Sequence, residues 1–598
     1  MITNPNSATQ RIKNHLSYKL GQELIKYNTG GGGIISLLFK LYHIKKTHHK
    51  LTQFRKTLEL ARADLAYPPL RQCFDFNEAL WVKTWLTYRL GRVLLECDRD
   101  KLKGGYFKFF SKIKQAKKEF KALKESRVYR LKDKLKFKNE EDFDLFIKNY
   151  ALIENLLTHY EALNEVIVLN KAFVLEHFDE VSLWLNSKEF KEKYEDINHP
   201  YPPLLNPDKL NDENYILNYE KIPAEKAWEM NLPLPNRYKY AFFIFGASAH
   251  GAILDFFIKS FDFNFSHVTM GYYWLDLKNF YSTAYKDVAL FLSCFVHYCA
   301  KQDYKRIYLA SHLPFLILVR DPISRFKTMI NHGSDETKGN INFKLGDDID
   351  RVLDRRRFHN HSLYPSTEDT MPFLIQQCTQ NINFSYTSTA ELCQKEVYYI
   401  DASEINPDKV MDSMRKYAKF FDKNLDEERL VSLDGYLKEK KWSIFAYIIP
   451  LILQIPSQTK ILSINIFLKF SHKDYSHESI VNEVFSSHYE VLNLVDFTME
   501  REDFKSLKEN EKLFNETKIY LNQFIEKLEN LRQNYVKTFA KENDVLNYLK
   551  THKQEALTFK EILDKELTHI KTHRPDIVAS WKYYKEFEKM CEEFKNQN

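Results

Sequence analysis

The sequence predicts an α/β protein built around a parallel β-sheet. The run YAFFIFG (240–246) is continuously apolar and ends in glycine, as strands buried on both faces do. LPFLILV (313–319) and EVYYID (396–401) have the same character. Helical spacing follows the first run in GAILDFFIKSF (251–261), and a helix follows the third. Strands that alternate with helices predict parallel pairing, here within residues 236–425.

A degenerate repeat occupies the N-terminal region, residues 1–140. IKNHLSYKLGQELI (12–25) and VKTWLTYRLGRVLL (82–95) share Tyr, Leu, Gly and Leu at an offset of 70 residues. Each copy is followed by glycines and then by an aromatic, Lys-rich segment. Because two copies are too few for a solenoid, they predict two related helical hairpins.

The charge of this region is strongly basic. Residues 101–140 contain 15 Lys/Arg and 4 Asp/Glu, a local charge of +11 in a chain of net charge +7. Apolar residues on one helical face and lysines on the other predict a surface for an anionic membrane. An ordinary solvated helix face explains the same pattern, and nucleic-acid binding would rest on the charge alone.

The remaining regions are predicted from simpler patterns. Residues 141–235 are predicted as helix followed by a proline-rich linker, HPYPPLLNP (199–207). In 426–598, two β-rich segments flank a turn at Ser457 and Gln458, and helices follow. Leu521, Phe524 and Leu528 recur at helical spacing, which favours core packing over a coiled coil.

Composition indicates a soluble protein of the cytoplasm, with the inner membrane face as a peripheral site. Apolar residues form 44% of the 598-residue chain, and the N-terminus lacks an apolar signal core. The most apolar run is about ten residues, too short to span a bilayer. The seven cysteines are widely separated and form no CxxC pair, so neither disulfides nor a zinc site is expected.

The segment LVRDPISRFKT (318–328) carries the clearest chemical signal. Arg320 follows a buried strand, at the edge of the sheet where ligands of open α/β sheets bind, and its fork suits a phosphate. Pro322 opens a helix whose first turn is expected to bring Thr328 to the same anion. A salt-bridge cluster of Arg320, Asp321 and Arg325 is the structural alternative.

This segment resembles the 3′-phosphate-binding motif of the P-loop sulfotransferases, with Thr328 in place of the family's Ser. The resemblance implies a P-loop, sulfotransferase-like core that takes 3′-phosphoadenosine 5′-phosphosulfate as co-substrate and needs no metal. It covers about a third of the chain. The residues implied to bind the nucleotide are Gly246, Ala247, Ser248, Ala249, Gly251, Arg320, Arg325 and Thr328.

The loop after the first strand departs from that family. Sulfotransferases place Lys or Arg and a Thr in their 5′-phosphosulfate loop, where this chain has Ala249 and Ala252. His250, Lys259 and Arg325 are the candidates to replace the missing cation. The departure leaves two hypotheses open, a rebuilt catalytic loop and a domain that binds without transfer.

Candidate catalytic residues follow from the need for a general base. The family uses Glu or His just after its second strand, where this chain offers His267, with Asp276 as a second choice and His250 in the loop. The segment DRRRFH (354–359) is a candidate grip for an anionic acceptor, or a solvated helix face.

The whole chain also resembles an epsilon-proteobacterial family linked with surface-glycan loci. The YKLGQ-type repeats, HLPFLILVRDPISRFK and HRPDIVASWKYYKEFEKMC carry this resemblance. It implies a role in capsule, lipooligosaccharide or flagellar glycan modification but no established activity. Taken with the sulfotransferase resemblance, it predicts transfer of sulfate to a bacterial surface glycan or a lipid-linked glycan acceptor. A non-catalytic scaffold for glycan assembly is the alternative, and a glycosyltransferase lacks a well-placed DxD element. Sequence alone sets neither the acceptor nor the oligomeric state.

Overall fold

The structure is a computed structural model of the chain. It describes residues 4–30, 32–261, 265–269, 277–281, 288–294, 304–331, 340–354, 366–380, 384–406, 408–428, 448–457, 460–469 and 477–596. The chain divides into two compact units, Met1–Pro233 and Leu234–Asn598. Among the described residues, no helix is long and apolar enough to cross a membrane.

The first unit is helical. Its helices are α1 (Ala8–Lys13), α2 (Leu16–Asn28), α3 (Ile34–Ala61), α4 (Phe76–Leu80), α5 (Leu86–Arg99), α6 (Phe109–Glu125), α7 (Arg127–Arg130), α8 (Glu140–Leu156), α9 (Glu161–Leu169), α10 (Lys171–Glu176), α11 (Phe178–Leu185), α12 (Lys188–Phe190) and α13 (Ala224–Glu229).

The two copies of the repeat pack against each other through their glycines. A Cβ added to Gly21 in α2 would lie 1.7 Å from the carbonyl oxygen of Thr87, and one added to Gly91 in α5 would lie 1.7 Å from that of Ser17. Ser17 and Thr87 occupy matching repeat positions, so the contact is pseudo-symmetric. Only glycine permits this approach of two helix backbones.

Each repeat helix also packs on the helix that follows it. Leu20 of α2, Leu41 of α3 and Leu94 of α5 form one buried cluster, against which Phe109 of α6 packs. The predicted pair of helical hairpins is therefore confirmed.

The proline-rich passage 199–207 is not a linker. Leu204 and Leu205 are buried within the first unit. The backbone carbonyl of Pro203 accepts a hydrogen bond from Trp184 Nε1 at 3.0 Å, and that of Pro202 accepts one from Asn231 at 3.3 Å. The prediction of a linker is wrong because the apolar residues between the prolines contribute to a core.

The second unit contains two sheets. Its strands are β1 (Tyr238–Phe245), β2 (Phe265–Thr269), β3 (Val288–Cys294), β4 (Phe315–Val319), β5 (Asn342–Lys344), β6 (Val397–Asp401), β7 (Leu451–Pro456), β8 (Ile461–Leu468), β9 (His477–Ser479) and β10 (Val495–Glu500). Its helices are α14 (His250–Phe261), α15 (Leu277–Tyr281), α16 (Tyr304–Ala310), α17 (Pro322–Ile330), α18 (Ile349–Asp354), α19 (Thr367–Gln380), α20 (Tyr386–Ala390), α21 (Val410–Phe420), α22 (Val481–Val484), α23 (Arg501–Glu509), α24 (Glu511–Thr538), α25 (Glu542–Thr551), α26 (Lys553–Glu566), α27 (Thr568–His573), α28 (Pro575–Ser580) and α29 (Lys582–Asn596).

The first sheet is parallel throughout, with strand order β2-β3-β1-β4-β6. Helices α14 and α21 cover one face, where Phe257 and Tyr417 pack on Phe242 of β1. On the other face, Tyr386 of α20 packs edge-on against Phe245 of β1 at 4.9 Å between ring centroids. The predicted α/β class with a parallel sheet is confirmed, and its central strands are buried as such sheets require.

The second sheet has the order β5-β7-β8-β10-β9 and is mostly antiparallel. Burial alternates along β7 and β8, and Leu521, Phe524 and Leu528 of α24 lie in the same core. The predicted core packing of this helix is confirmed. Because β5 pairs with β7, residues on both sides of the expected boundary at 425/426 share one sheet.

Candidate functional site

The loop that follows β1 lies at the carboxyl edge of the first sheet and leads into α14. Ala247 and Ala249 adopt left-handed backbone conformations, with φ of 62° and 68°. Such a conformation costs a residue with a Cβ about 1–2 kcal/mol. Among the described residues, the N–H groups of Ala247 and Ala249 meet no acceptor. Alternating backbone conformations of this kind gather N–H groups into concavities that bind anions.

Arg320 joins this loop to the end of β4. Its Nη1 donates to the carbonyl oxygen of Ala247 at 3.0 Å. Burial lowers its pKa, and the carboxylate of Glu542 opposes that shift. Within the described part of the chain, no carboxylate forms an ion pair with Arg320, so most of its five N–H donors are available to an anion.

Arg325 has a different task from the predicted one. It is fully buried in α17, and its Nε and Nη2 donate to the carbonyl oxygen of Gly246 at 3.1 and 2.8 Å. Its Nη1 donates to the hydroxyl of Tyr386 at 2.7 Å, and its guanidinium lies 4.0 Å from the ring centroid of Phe384. Arg325 therefore positions the loop rather than facing a ligand.

Asp321 ties the motif to the last helix of the chain. Its Oδ1 accepts from the N–H groups of Ile323 and Ser324 at the start of α17. Its Oδ2 accepts from those of Tyr583 and Tyr584 at the start of α29, at 3.0 and 3.2 Å. Burial raises the pKa of Asp321 although these bonds oppose the shift. The carboxylate caps two helices and forms no described ion pair with its neighbouring arginines.

Thr328 does not lie where the sequence placed it. It is the seventh residue of α17 and belongs to the second turn, so the first-turn prediction is wrong. Its hydroxyl donates to the carbonyl oxygen of Ser324 at 3.0 Å, within its own helix. Ser324, in the first turn, instead donates its hydroxyl to Glu542 Oε1 at 3.2 Å. The two residues are four positions apart and share one face of α17, so Thr328 lies one helical turn farther than Ser324 from the end of β4.

The remaining predicted loop residues, Ser248, His250 and Gly251, lie at the start of α14. Ser248 is fully buried, and its N–H donates to the carbonyl oxygen of Phe245 at 3.2 Å. His250 is the first helical residue. Gly251 is exposed, and a Cβ added there would have no atom within 4 Å. Open space therefore adjoins the N-terminus of this twelve-residue helix.

The predicted base His267 lies farther from the loop than His250 does. His267 is the third residue of β2, so its expected place after the strand is wrong. β2 is two strands away from β1, roughly 10 Å across the sheet. Asp276 lies outside the described residues, as does the 354–359 segment beyond Asp354.

Residues beyond the motif complete this edge of the sheet. Asp401, at the end of β6, accepts from Trp581 Nε1 at 2.7 Å and from the N–H of Ser403 at 2.8 Å. Trp581 lies in the terminal HRPDIVASWKYYK segment, whose sequence pattern does not predict a place at this edge. Tyr386 carried no sequence signal. Across the described residues, no group of His, Cys, Asp or Glu is arranged to hold a metal ion.

Two family models match parts of the chain. Residues 399–594 match a family described as Protein of unknown function (DUF2972), and residues 1–122 match a Domain of unknown function (DUF8374). No curated protein and no solved structure matches the chain. The first match begins in β6 and includes Asp401 and Trp581, whereas Arg320 and the loop after β1 precede it. The second contains both copies of the glycine repeat.

Proposed function

We propose that the Leu234–Asn598 unit binds 3′-phosphoadenosine 5′-phosphosulfate and transfers its sulfuryl group to a hydroxyl of a bacterial glycan. The observation that carries the proposal is the contact between Arg320, at the end of β4, and the loop after β1. It joins a partly buried guanidinium, which has no carboxylate ion-pair partner among the described residues, to a backbone loop with unused N–H groups. Both are donors that a phosphate or sulfate accepts.

The strand order supports the location of this site. From β1 the chain passes to β2 on one side of the sheet, and from β4 it passes to β6 on the other. Ligands of open α/β sheets bind where such connections diverge, beyond the carboxyl ends of the strands. Here that crevice lies between β1 and β4, where Arg320 meets the 246–249 loop. The N-terminus of α14 adds its positive dipole.

The transfer step requires one new bond and one broken bond. The acceptor oxygen would attack sulfur as the bond from sulfur to the 5′-phosphate oxygen breaks, and the electron pair would leave on that oxygen. The acceptor proton would pass to a base, for which His267 is the candidate. Arg320 would hold the nucleotide's 3′-phosphate, while Arg325 would maintain the loop through Gly246.

A second candidate function is a scaffold that binds the nucleotide without transfer. Ala249 favours it, because the loop lacks the cation that stabilises the leaving oxygen in sulfotransferases. Removing one such donor typically lowers the rate 10²–10³-fold. Arg325 does not replace it, since its guanidinium is bound to Gly246 and Tyr386.

Titration calorimetry with adenosine 3′,5′-bisphosphate tests the binding site. Arg320→Ala should weaken binding by about 2–4 kcal/mol, the cost of losing a charge-assisted contact. Arg415→Ala is the matched control, because Arg415 is an exposed arginine of the same unit that pairs with Glu427. Unchanged binding by a folded Arg320→Ala protein would defeat the assignment.

Labelled sulfate then separates the two functions. A transferase should move sulfate from the activated nucleotide to a glycan precursor without added metal, and His267→Ala should lower turnover far more than nucleotide affinity. Nucleotide binding without transfer to any host extract would select the scaffold. Failure to bind the nucleotide would reject both.

A further inference from the structure

An apolar surface of the first unit has no function in the proposed chemistry. It consists of exposed side chains that follow the two repeat helices α2 and α5 in the chain, and we name it the apolar face. Its members are Ile34, Ile35, Leu38, Phe39, Tyr42, Leu102, Tyr106, Phe107 and Phe110. Leu102 and Phe107 are each 94% exposed and Phe110 is 81% exposed, values unusual for large apolar residues.

The two halves of the apolar face adjoin. Leu37 of α3 and Phe109 of α6 pack on the same buried cluster, so the residues beside them emerge from one region. Asp98 of α5 fixes the halves together. Its carboxylate pairs with Lys45 of α3 and accepts a hydrogen bond of 2.8 Å from the hydroxyl of Tyr106.

Lysines surround this face. Eight exposed lysines form no ion pair with a carboxylate of the described residues. They are Lys40, Lys46, Lys101, Lys103, Lys108, Lys114, Lys117 and Lys118. They belong to the basic region in which 101–140 carries +11. The apolar side chains therefore have a strongly positive surround rather than the mixed charge of an ordinary surface.

We infer that the apolar face docks on the surface of an anionic lipid bilayer. Its aromatic and aliphatic side chains would enter the headgroup boundary while the lysines bind lipid phosphates, as interfacial helices do. A second copy of the chain fits less well, because lysine-rich rims would then face each other and repel. Since α2 and α5 cross at Gly21 and Gly91, their packing holds both halves of the face in place.

Vesicle co-sedimentation of the full-length chain tests this surface. The chain should bind vesicles of phosphatidylcholine and phosphatidylglycerol, bind phosphatidylcholine alone at least tenfold more weakly, and dissociate as salt rises. Phe107→Ser combined with Phe110→Ser should lower partitioning by about tenfold, because two inserted rings are lost. Both side chains are exposed, so the fold should persist.

Matched variants separate the membrane from other partners. Leu102→Ser should weaken binding, whereas Leu183→Ser should not, since Leu183 is exposed in α11 outside the apolar face. Lys103→Glu with Lys108→Glu should weaken binding to anionic vesicles only. Absence of wild-type binding, or equal binding by the Phe107→Ser/Phe110→Ser protein, would overturn the inference. If the wild-type chain is a dimer in solution and the double variant is a monomer, the apolar face binds a second copy of the chain instead.

Discussion

At the scale of single residues, the loop after β1 differs from its expected chemistry. The sequence suggested a glycine-containing anion loop, yet the left-handed conformations fall on Ala247 and Ala249 rather than on Gly246. Arg320 and Arg325 donate to the carbonyl oxygens of Ala247 and Gly246, and these charge-assisted bonds offset the strain. Strained backbone that its surroundings maintain is common at binding sites.

The open space at Gly251 allows a direct test of whether the bound nucleotide fills it. Gly251→Val should leave the free energy of unfolding within about 1 kcal/mol, because an added Cβ meets no atom within 4 Å. It should weaken binding of adenosine 3′,5′-bisphosphate at least tenfold if the ligand fills that space, as measured by calorimetry.

Gly251→Ala provides the graded control, since it adds one methyl group to the same position. It should retain most of the affinity and stabilise the helix slightly. Full affinity in Gly251→Val would mean that the nucleotide does not approach the start of α14.

At the scale of elements, the repeat of the first unit has a structural explanation. Its matching glycines are the positions where α2 and α5 meet backbone to backbone. The tyrosines that also match, Tyr18 and Tyr88, both pack against a small buried cluster that contains Ile12 and Val82. The repeat therefore specifies a helix crossing.

Gly91→Ala should disrupt that crossing. The new Cβ would lie 1.7 Å from the carbonyl oxygen of Ser17, so α2 and α5 must separate, and we expect a loss of about 3 kcal/mol or more in urea unfolding. Gly33→Ala, where no atom lies within 4 Å, should cost less than about 1 kcal/mol. Equal stability of Gly91→Ala and the wild type would contradict the packing.

At the scale of the whole molecule, the candidate site depends on the C-terminal helices. The ring centroids of Phe559 in α26 and Phe326 in α17 lie 4.4 Å apart. Trp581 Nε1 donates a hydrogen bond to the carboxylate of Asp401. The motif at Arg320 and the C-terminal region that matches a family of its own thus belong to one unit.

Acid should destabilise the first unit through a buried histidine. Burial lowers the pKa of His199 to about 4, whereas an unfolded chain has a histidine pKa near 6.5. Between these values the unfolded state binds more protons, so stability falls as pH falls. We expect His199 to account for a loss of about 2 kcal/mol between pH 7 and pH 5.

Urea unfolding at both pH values of the wild type and His199→Asn measures this contribution. Asn retains an acceptor for the N–H of Tyr201, which donates to His199 Nδ1 at 3.1 Å. The variant should show a shallower pH dependence, and His159→Asn, at an exposed position, should match the wild type. Equal slopes for all three proteins would refute the assignment.

Local patterns in the sequence are enough to predict several features of the fold. Continuous apolar runs identified β1, β4 and β6, the Arg-Asp-Pro segment located one side of the candidate site, and the repeat identified two hairpins. The run VALFLSC of β3, which is not among the predicted strands, has the same apolar character and joins β2 to β1.

Which distant residues come into contact depends on how the elements pack. Packing between elements binds Arg325 to Gly246 and Tyr386 and joins Ser324 to Glu542. It also places α29 on Asp321, 262 residues away in the chain. Periodicity reports which face of an element is buried, but the partner of that face depends on packing between elements. A side chain's hydrogen bonds therefore follow from the assembled fold.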